Sequence, residues 1–189
     1  MGKILLLCLV AAAAGSAQEA KTPAKKKSSG APPSLAPKPA PEMQELSSMI
    51  GAWTTEEQHE PNPWMPSGGK GSGTATFRRG PGGLSVILDV RGGTPQMPFT
   101  AHGVLTWDAD AKVYKTSFAD SMTAGIMVST GRKQGNDVVY NGEGMMAGKK
   151  VMFKDVISDR TPTTFTLTSY MNDGSGEKKM MTVKHTKKQ

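Results

Sequence analysis

Apolar and polar residues alternate along most of the chain after residue 50, and this period of two is typical of β-strands with one buried face. Two examples are the apolar faces formed by Leu84, Val86, Leu88 and Val90, and by Phe99, Ala101, Gly103, Leu105 and Trp107. Clusters of Gly, Pro, Asn and Asp interrupt the alternation about every ten residues, as turns do. The pattern predicts an all-β domain, an antiparallel meander of about nine or ten strands.

A meander leaves two free strand edges unless its first and last strands pair. We therefore expect closure into a lipocalin-like barrel, with a two-sheet sandwich as the alternative. In the closing pair, antiparallel register would place Thr55 opposite His185 and His59 opposite Met181. A barrel of eight or more strands has room for its own side chains or for one small ligand.

One short helix is predicted ahead of the strands. The apolar residues between positions 42 and 50 recur at helical spacing: Met43, Leu46, Met49 and Ile50. Pro41 and Gly51 flank this segment, as is typical of helix boundaries. We expect the helix to plug or flank one end of the barrel.

The N-terminal region predicts export. In residues 1–17, Lys3 precedes an apolar run and small residues, as in a cleavable secretion signal peptide. The run is shorter than the roughly 20 apolar residues that span a bilayer. Residues 18–41, rich in Pro, Ala and Lys, predict a disordered tether. Residues 42–189 then form a single β-barrel domain in a bacterial periplasmic or extracellular protein.

Charge and cysteine content narrow the function classes. The formal net charge is +7, but residues 42–189 carry 17 basic and 15 acidic side chains. This near-neutral domain, without interleaved Arg and aromatic residues, predicts no nucleic-acid binding. Lys25, Lys26 and Lys27 could contact an anionic envelope surface weakly, although a solvated spacer explains them as well. Cys8 lies in the leader, so the mature chain has no thiol for a disulfide or nucleophile.

A cavity in such a barrel would be walled by aromatic residues and a few polar groups. The aromatic candidates for its wall or lid are Trp53, Trp64, Trp107 and Tyr114. His59 and His185 are the polar candidates. This set predicts a binding module for a small, mostly apolar ligand. A structural or envelope-interaction protein, with the barrel filled by side chains, is the alternative.

The positions of the histidines and methionines give little support to a metal or cofactor site. His59 and His185 lie roughly 13 Å apart along the predicted strands, too far to share one ion. Heme bound through either histidine alone is an option, but no cofactor is expected. Methionine thioethers could hold copper(I), yet adjacent residues on a strand face opposite sides, so Met145–Met146 and Met180–Met181 should not chelate. Lining of the core or cavity is the favoured explanation for the methionines.

Three carboxylates fall on inward faces: Glu57, Asp120 and Asp155. Two of them meeting in the cavity, one with a raised pKa, would make an acid/base pair. Turn anchoring, or pairing with Arg78, Arg91 or Lys154, is the favoured interpretation. We assign no catalytic residues and expect a protein that is not an enzyme.

Three short motifs resemble domain-of-unknown-function family 1579. They lie at residues 49–53, at residues 103–108 with the following Lys112, Tyr114 and Asp120-Ser121-Met122, and at residues 181–187, and the resemblance covers roughly residues 42–188. The resemblance implies an architecture and carries no established activity.

The opening of the first strand, Gly51-Ala52-Trp53, is similar to that of lipocalins and other calycins. In those folds a basic residue of the last strand packs across the tryptophan, and Lys187 stands at that position here. Because lysine lacks the planar guanidinium of arginine, the resemblance implies a weaker closure.

Overall fold

The computed structural model describes residues 37–62, 65–146 and 148–189. The predicted signal peptide, most of the tether with its Lys25–Lys27 run, and Trp64 lie outside these residues. Within the described ranges, the chain folds as one α-helix, a single 3₁₀ turn (Pro81–Gly83) and ten strands. In order, they are α1 (Met43–Ser47), β1 (Gly51–His59), β2 (Gly69–Arg79), β3 (Ser85–Thr94), β4 (Met97–Asp108), β5 (Val113–Asp120), β6 (Met127–Gln134), β7 (Asp137–Met146), β8 (Lys149–Ser158), β9 (Thr164–Asn172) and β10 (Glu177–Lys187).

The ten strands form a closed antiparallel barrel in which each strand pairs with its sequence neighbours and β1 pairs with β10. The predicted meander, its closure and the closing register are confirmed. Trp53 lies opposite Lys187, Thr55 opposite His185, and His59 opposite Met181. Closure leaves no unpaired strand edge in the described sheet.

Helix α1 is shorter than predicted, because it ends at Ser47 and not at residue 50. The Met49 and Ile50 amides bond the Leu46 and Ser47 carbonyls in turns that lead into β1. Apolar spacing persists through this turn, since Met49 is buried like the helical residues Met43 and Leu46. No helix among the described residues has the length and apolar character needed to cross a membrane.

The helix closes the barrel end at which β1 begins, which we call the helix end. Met43, Leu46 and Met49 belong to the same core cluster as Trp53, and the Trp53 indole Nε1 donates to the Met49 carbonyl at 2.8 Å. On the surface of the helix, Glu45 pairs with Arg160 and with Lys133. The helix therefore plugs this end, as predicted.

Aromatic packing fills the barrel next to the plug. Phe165 packs edge-on against Trp53 at a centroid distance of 4.9 Å and against Phe77 at 6.0 Å. Trp107 and Tyr114 make a similar contact at 4.9 Å. The opposite end, where β1 finishes at His59, we call the mouth.

Candidate functional site

Two adjoining cavities occupy the barrel interior between the plug and the mouth. The inner cavity, of about 280 Å³, reaches from Met49 at the helix end to Met65 near the mouth. The mouth cavity is about 560 Å³. Both are walled in part by His59, Phe118 and Asp155, so they form a continuous interior space. Apolar side chains dominate its lining: Met49, Phe77, Leu88, Val90, Phe99, Leu105, Phe118, Ile157, Phe165, Leu167 and Val183 line the inner cavity.

Glu57 and His59 form one polar group on the β1 wall. His59 Nε2 lies 3.0 Å from Glu57 Oε2, and both side chains are largely buried. The Gly93 amide donates to both Glu57 oxygens at 3.2 Å, and the Thr55 hydroxyl lies 3.4 Å from Oε1. A Cβ at Gly92 would be 2.2 Å from Glu57 Oε1, so a glycine is needed beside this carboxylate. The Glu57 carboxylate is thus saturated by protein contacts.

Asp155 and Ser169 form a second polar group on the wall made by β8 and β9, and Tyr140 is the neighbour of Asp155 on β7. Asp155 lies opposite Tyr140 on one side and opposite Ser169 on the other. The Ser169 hydroxyl donates to Asp155 Oδ1 at 2.5 Å. Burial raises the pKa of the Asp155 carboxyl, and the Ser169 bond opposes this only in part.

Tyr140 holds its ring flat over the backbone of the neighbouring strand. A Cβ at Gly131, its partner residue on β6, would be 2.5 Å from the ring. The Tyr140 hydroxyl is buried and has no hydrogen-bond partner among the described residues. A buried phenol without a partner is rare enough to need a reason, and this one lines the inner cavity.

His185 faces the inner cavity from β10. Its ring stacks on Phe165 at 4.0 Å with an interplanar angle of 12°, and only 5% of the residue is exposed. Burial lowers the pKa of His185 to about 4, so the imidazole is neutral near pH 7. Its Nδ1 has no partner among the described residues.

A search of family models matches residues 38–187 to the family described as Protein of unknown function (DUF1579). The chain belongs to this family. No curated protein matches the DUF1579 chain significantly.

Among solved structures, the chain resembles the S-type phycobiliprotein lyase CPES from Guillardia theta. The TM-score is 0.52 and the identity 9%, over 77% of this chain and 92% of the lyase chain. A redesigned β-barrel, mFAP0, bound to DFHBI, gives a TM-score of 0.42 and 17% identity, over 74% of this chain and 99% of the designed one. The lyase likeness shows a shared barrel fold.

The structure of this DUF1579 domain brings only some of the predicted site residues together. His59 and His185 line the inner cavity. Trp53, Trp107 and Tyr114 lie in or against the core at the helix end and are not among the lining residues of the two cavities. A contact of these three aromatic residues or of Trp64 with a ligand stays a prediction.

Asp120 anchors a turn, as favoured for the inward carboxylates, whereas Glu57 and Asp155 face the cavity. The Asp120 Oδ1 accepts from the Met122 and Thr123 amides at 2.7 Å. The pairing favoured for Glu57 and Asp155 is wrong: Arg78 pairs with Asp89, and Lys154 pairs with Glu177. Neither Tyr140 nor Ser169 was predicted as a site residue. The strand alternation in β7 and β9 was the one signal that could have placed them inward.

Methionines surround the mouth, in agreement with the lining role predicted for them. The methionine collar consists of the eight methionines that line the mouth cavity: Met65, Met97, Met122, Met127, Met146, Met171, Met180 and Met181. Met180 and Met181 were expected to face opposite sides of β10, and this expectation is corrected because both line the mouth cavity. The register between β9 and β10 shifts between Lys179 and Met181, and such a bulge breaks the strict alternation of faces.

In the described part of the chain, no three His, Cys, Asp or Glu side chains are placed to hold a metal ion. Heme held by a single histidine is a different case, and it stays a prediction for His59 or His185.

Proposed function

We propose that this domain binds a small, mostly apolar ligand inside the barrel. The observation that carries the proposal is the pair of cavities between the plug and the mouth, walled mainly by apolar side chains with a minority of polar groups among them. Their volumes, about 280 and 560 Å³, suit a small ligand, since ligand pockets typically measure roughly 300–1,000 Å³. A structural barrel filled by its own side chains fits less well, because the filling stops beside the helix end.

We further propose that the protein is exported and acts outside the cytoplasm, with residues 18–41 as a flexible tether. The support is the leader-like segment of residues 1–17 and the Pro-rich segment that follows. Lys25, Lys26 and Lys27 would give the tether a weak contact with an anionic envelope surface. N-terminal sequencing of the mature protein tests the export step, and a start near Gln18 is the expected result.

Native mass spectrometry of protein purified from its own source is the first test of binding. We expect a co-purifying mass that leaves on mild denaturation. An absorbance spectrum of the same sample tests the heme option, because heme bound through His59 or His185 would give a Soret band.

A matched pair of tryptophan substitutions locates the ligand. Ser129 lines both cavities, whereas the next residue, Thr130, is exposed on the outer face of β6. Ser129→Trp should fill the cavity and abolish ligand retention, while Thr130→Trp should retain the ligand as the natural protein does. Retention by both variants, with both folded by circular dichroism, would place the ligand outside the barrel and contradict the proposal.

A further inference from the structure

The two inward carboxylates of the cavity differ in what already binds them. Glu57 accepts from the Gly93 amide and contacts His59 and Thr55. Asp155 accepts one bond, from Ser169, and otherwise faces the cavity. Of the two, Asp155 therefore has capacity left for a ligand.

The surroundings of Asp155 supply no positive charge. Neither Lys nor Arg is among the residues that line the two cavities. The other titratable residues of the inner cavity are Glu57, His59, Tyr140 and His185, and the mouth cavity adds Asp120, Glu143 and Tyr170. His59 is engaged by Glu57, and the imidazole of His185 is neutral near pH 7. A buried carboxylate without a cation is unfavourable, so a cationic guest would recover much of this cost.

The Tyr140 hydroxyl gives the site a second oxygen. It is buried, lacks a partner among the described residues, and belongs to the residue directly opposite Asp155. An ammonium group offers three N–H donors, and Asp155 and Tyr140 both present acceptor oxygens. The apolar wall around them would hold a hydrocarbon or aromatic body.

We propose that Asp155, with Tyr140 and Ser169, binds the ammonium group of an apolar amine whose body fills the inner cavity. This inference rests on the proposed function, since it names the ligand class of the same cavity. Fatty acids are disfavoured by the same geometry, because a second carboxylate would meet Asp155 and Glu57 with no cation to separate them.

Isothermal titration with three probes of equal chain length tests the ligand class: octylamine, octanol and octanoate. Octylamine should bind more tightly than octanol, and octanoate should bind least. Asp155→Asn should weaken octylamine binding about tenfold to a hundredfold, as loss of a charged hydrogen bond does, with little change for octanol. Tyr140→Phe should weaken octylamine binding by a smaller factor.

The number of protons released on octylamine binding distinguishes a direct contact with Asp155 from a purely structural role of that residue. An alkylammonium stabilises the ionised carboxylate, so binding should release up to about one proton where free Asp155 is protonated. The release should grow as the pH falls toward the Asp155 pKa and disappear in Asp155→Asn. Titrations in two buffers of different ionisation enthalpy measure it. Asp89→Asn, a change to an exposed carboxylate on the outer face, is the matched control and should behave as the natural protein.

The outcomes separate this inference from the function on which it rests. If none of the three probes binds, the apolar cavity is not a ligand site and both proposals fail. If octanol or octanoate binds as tightly as octylamine, or if Asp155→Asn leaves octylamine binding unchanged, the amine site is wrong while the binding function stands.

Discussion

His185 is a titratable residue whose burial in the folded protein opposes protonation of its imidazole. The ring is 5% exposed and stacked on Phe165, and its Nδ1 lacks a partner among the described residues. The folded-state pKa is about 4, below the ordinary value of 6.5. The unfolded chain therefore binds a proton more readily than the folded one between these two values.

The pH dependence of stability should show this difference. The contribution of neutral His185 is complete above pH 6.5 and is lost as the pH falls toward 4, on the order of 3 kcal/mol in total. His185→Phe should remove that part of the acid sensitivity, because phenylalanine keeps a ring on Phe165 and binds no proton. Urea unfolding at a series of pH values measures the free energy of unfolding.

The exposed histidine His102 supplies the control for this experiment. It lies on the outer face, where Nδ1 is 2.8 Å from Asp89 Oδ1. His102→Gln should keep the steep loss of stability between pH 6.5 and 4. An equal slope in His185→Phe and in the natural protein would show that another group causes the acid sensitivity.

At the scale of the element, helix α1 is stabilised by its tertiary contacts with the barrel. Five residues are too few for a stable isolated helix, so packing on the barrel must hold it. Leu46→Ala should lower the free energy of unfolding by about 2–5 kcal/mol, because Leu46 is 3% exposed within the core. Gln44→Ala, on the exposed side of the same helix, should change it little. Chemical denaturation of both variants measures the difference.

Equal losses in the two helix variants would contradict the packing argument, because only Leu46 is buried in the core. Helical propensity could not explain a loss at either position, since alanine favours helix at both.

Sequence alternation predicted the strands well and the depth of the cavity poorly. A period of two fixes which face of a strand is buried, and the paired alternation of β1 and β10 fixes their register. It does not report how far along the barrel axis the core is filled. The alternation therefore placed Trp53, Trp107 and Tyr114 on the inner face but gave no position along the barrel axis, and they lie in or against the core at the helix end.

The grouping of polar residues around Asp155 could not be predicted from the sequence of any single strand. Two strand registers place Tyr140 of β7 and Ser169 of β9 on either side of Asp155 of β8, and the Ser169 hydroxyl bonds the Asp155 carboxylate. Each residue alone looks ordinary on its strand. Residue pairing across two hairpins, and not composition, creates the site.

On the scale of the whole molecule, stability depends on closure by the last strand. β10 pairs with both β1 and β9, so its removal would expose two strand edges at once. A chain ending at Asn172 should fail to fold and should aggregate, whereas loss of Gln189 alone should have little effect. Circular dichroism and size-exclusion chromatography distinguish these outcomes. A monomeric, folded truncation would show that an open sheet suffices.

The methionine collar at the mouth and the polar residues farther inside differ in how they could select a ligand. Thioether side chains are long, unbranched and polarisable, so they can repack around guests of different outline. Farther from the mouth, Asp155 and Tyr140 are anchored by pairing between strands and cannot adapt in this way. If the cavity binds amines as proposed, the entrance would tolerate guests of different shape while the interior would select for charge, and guests of varied size with one common head group would share a single site.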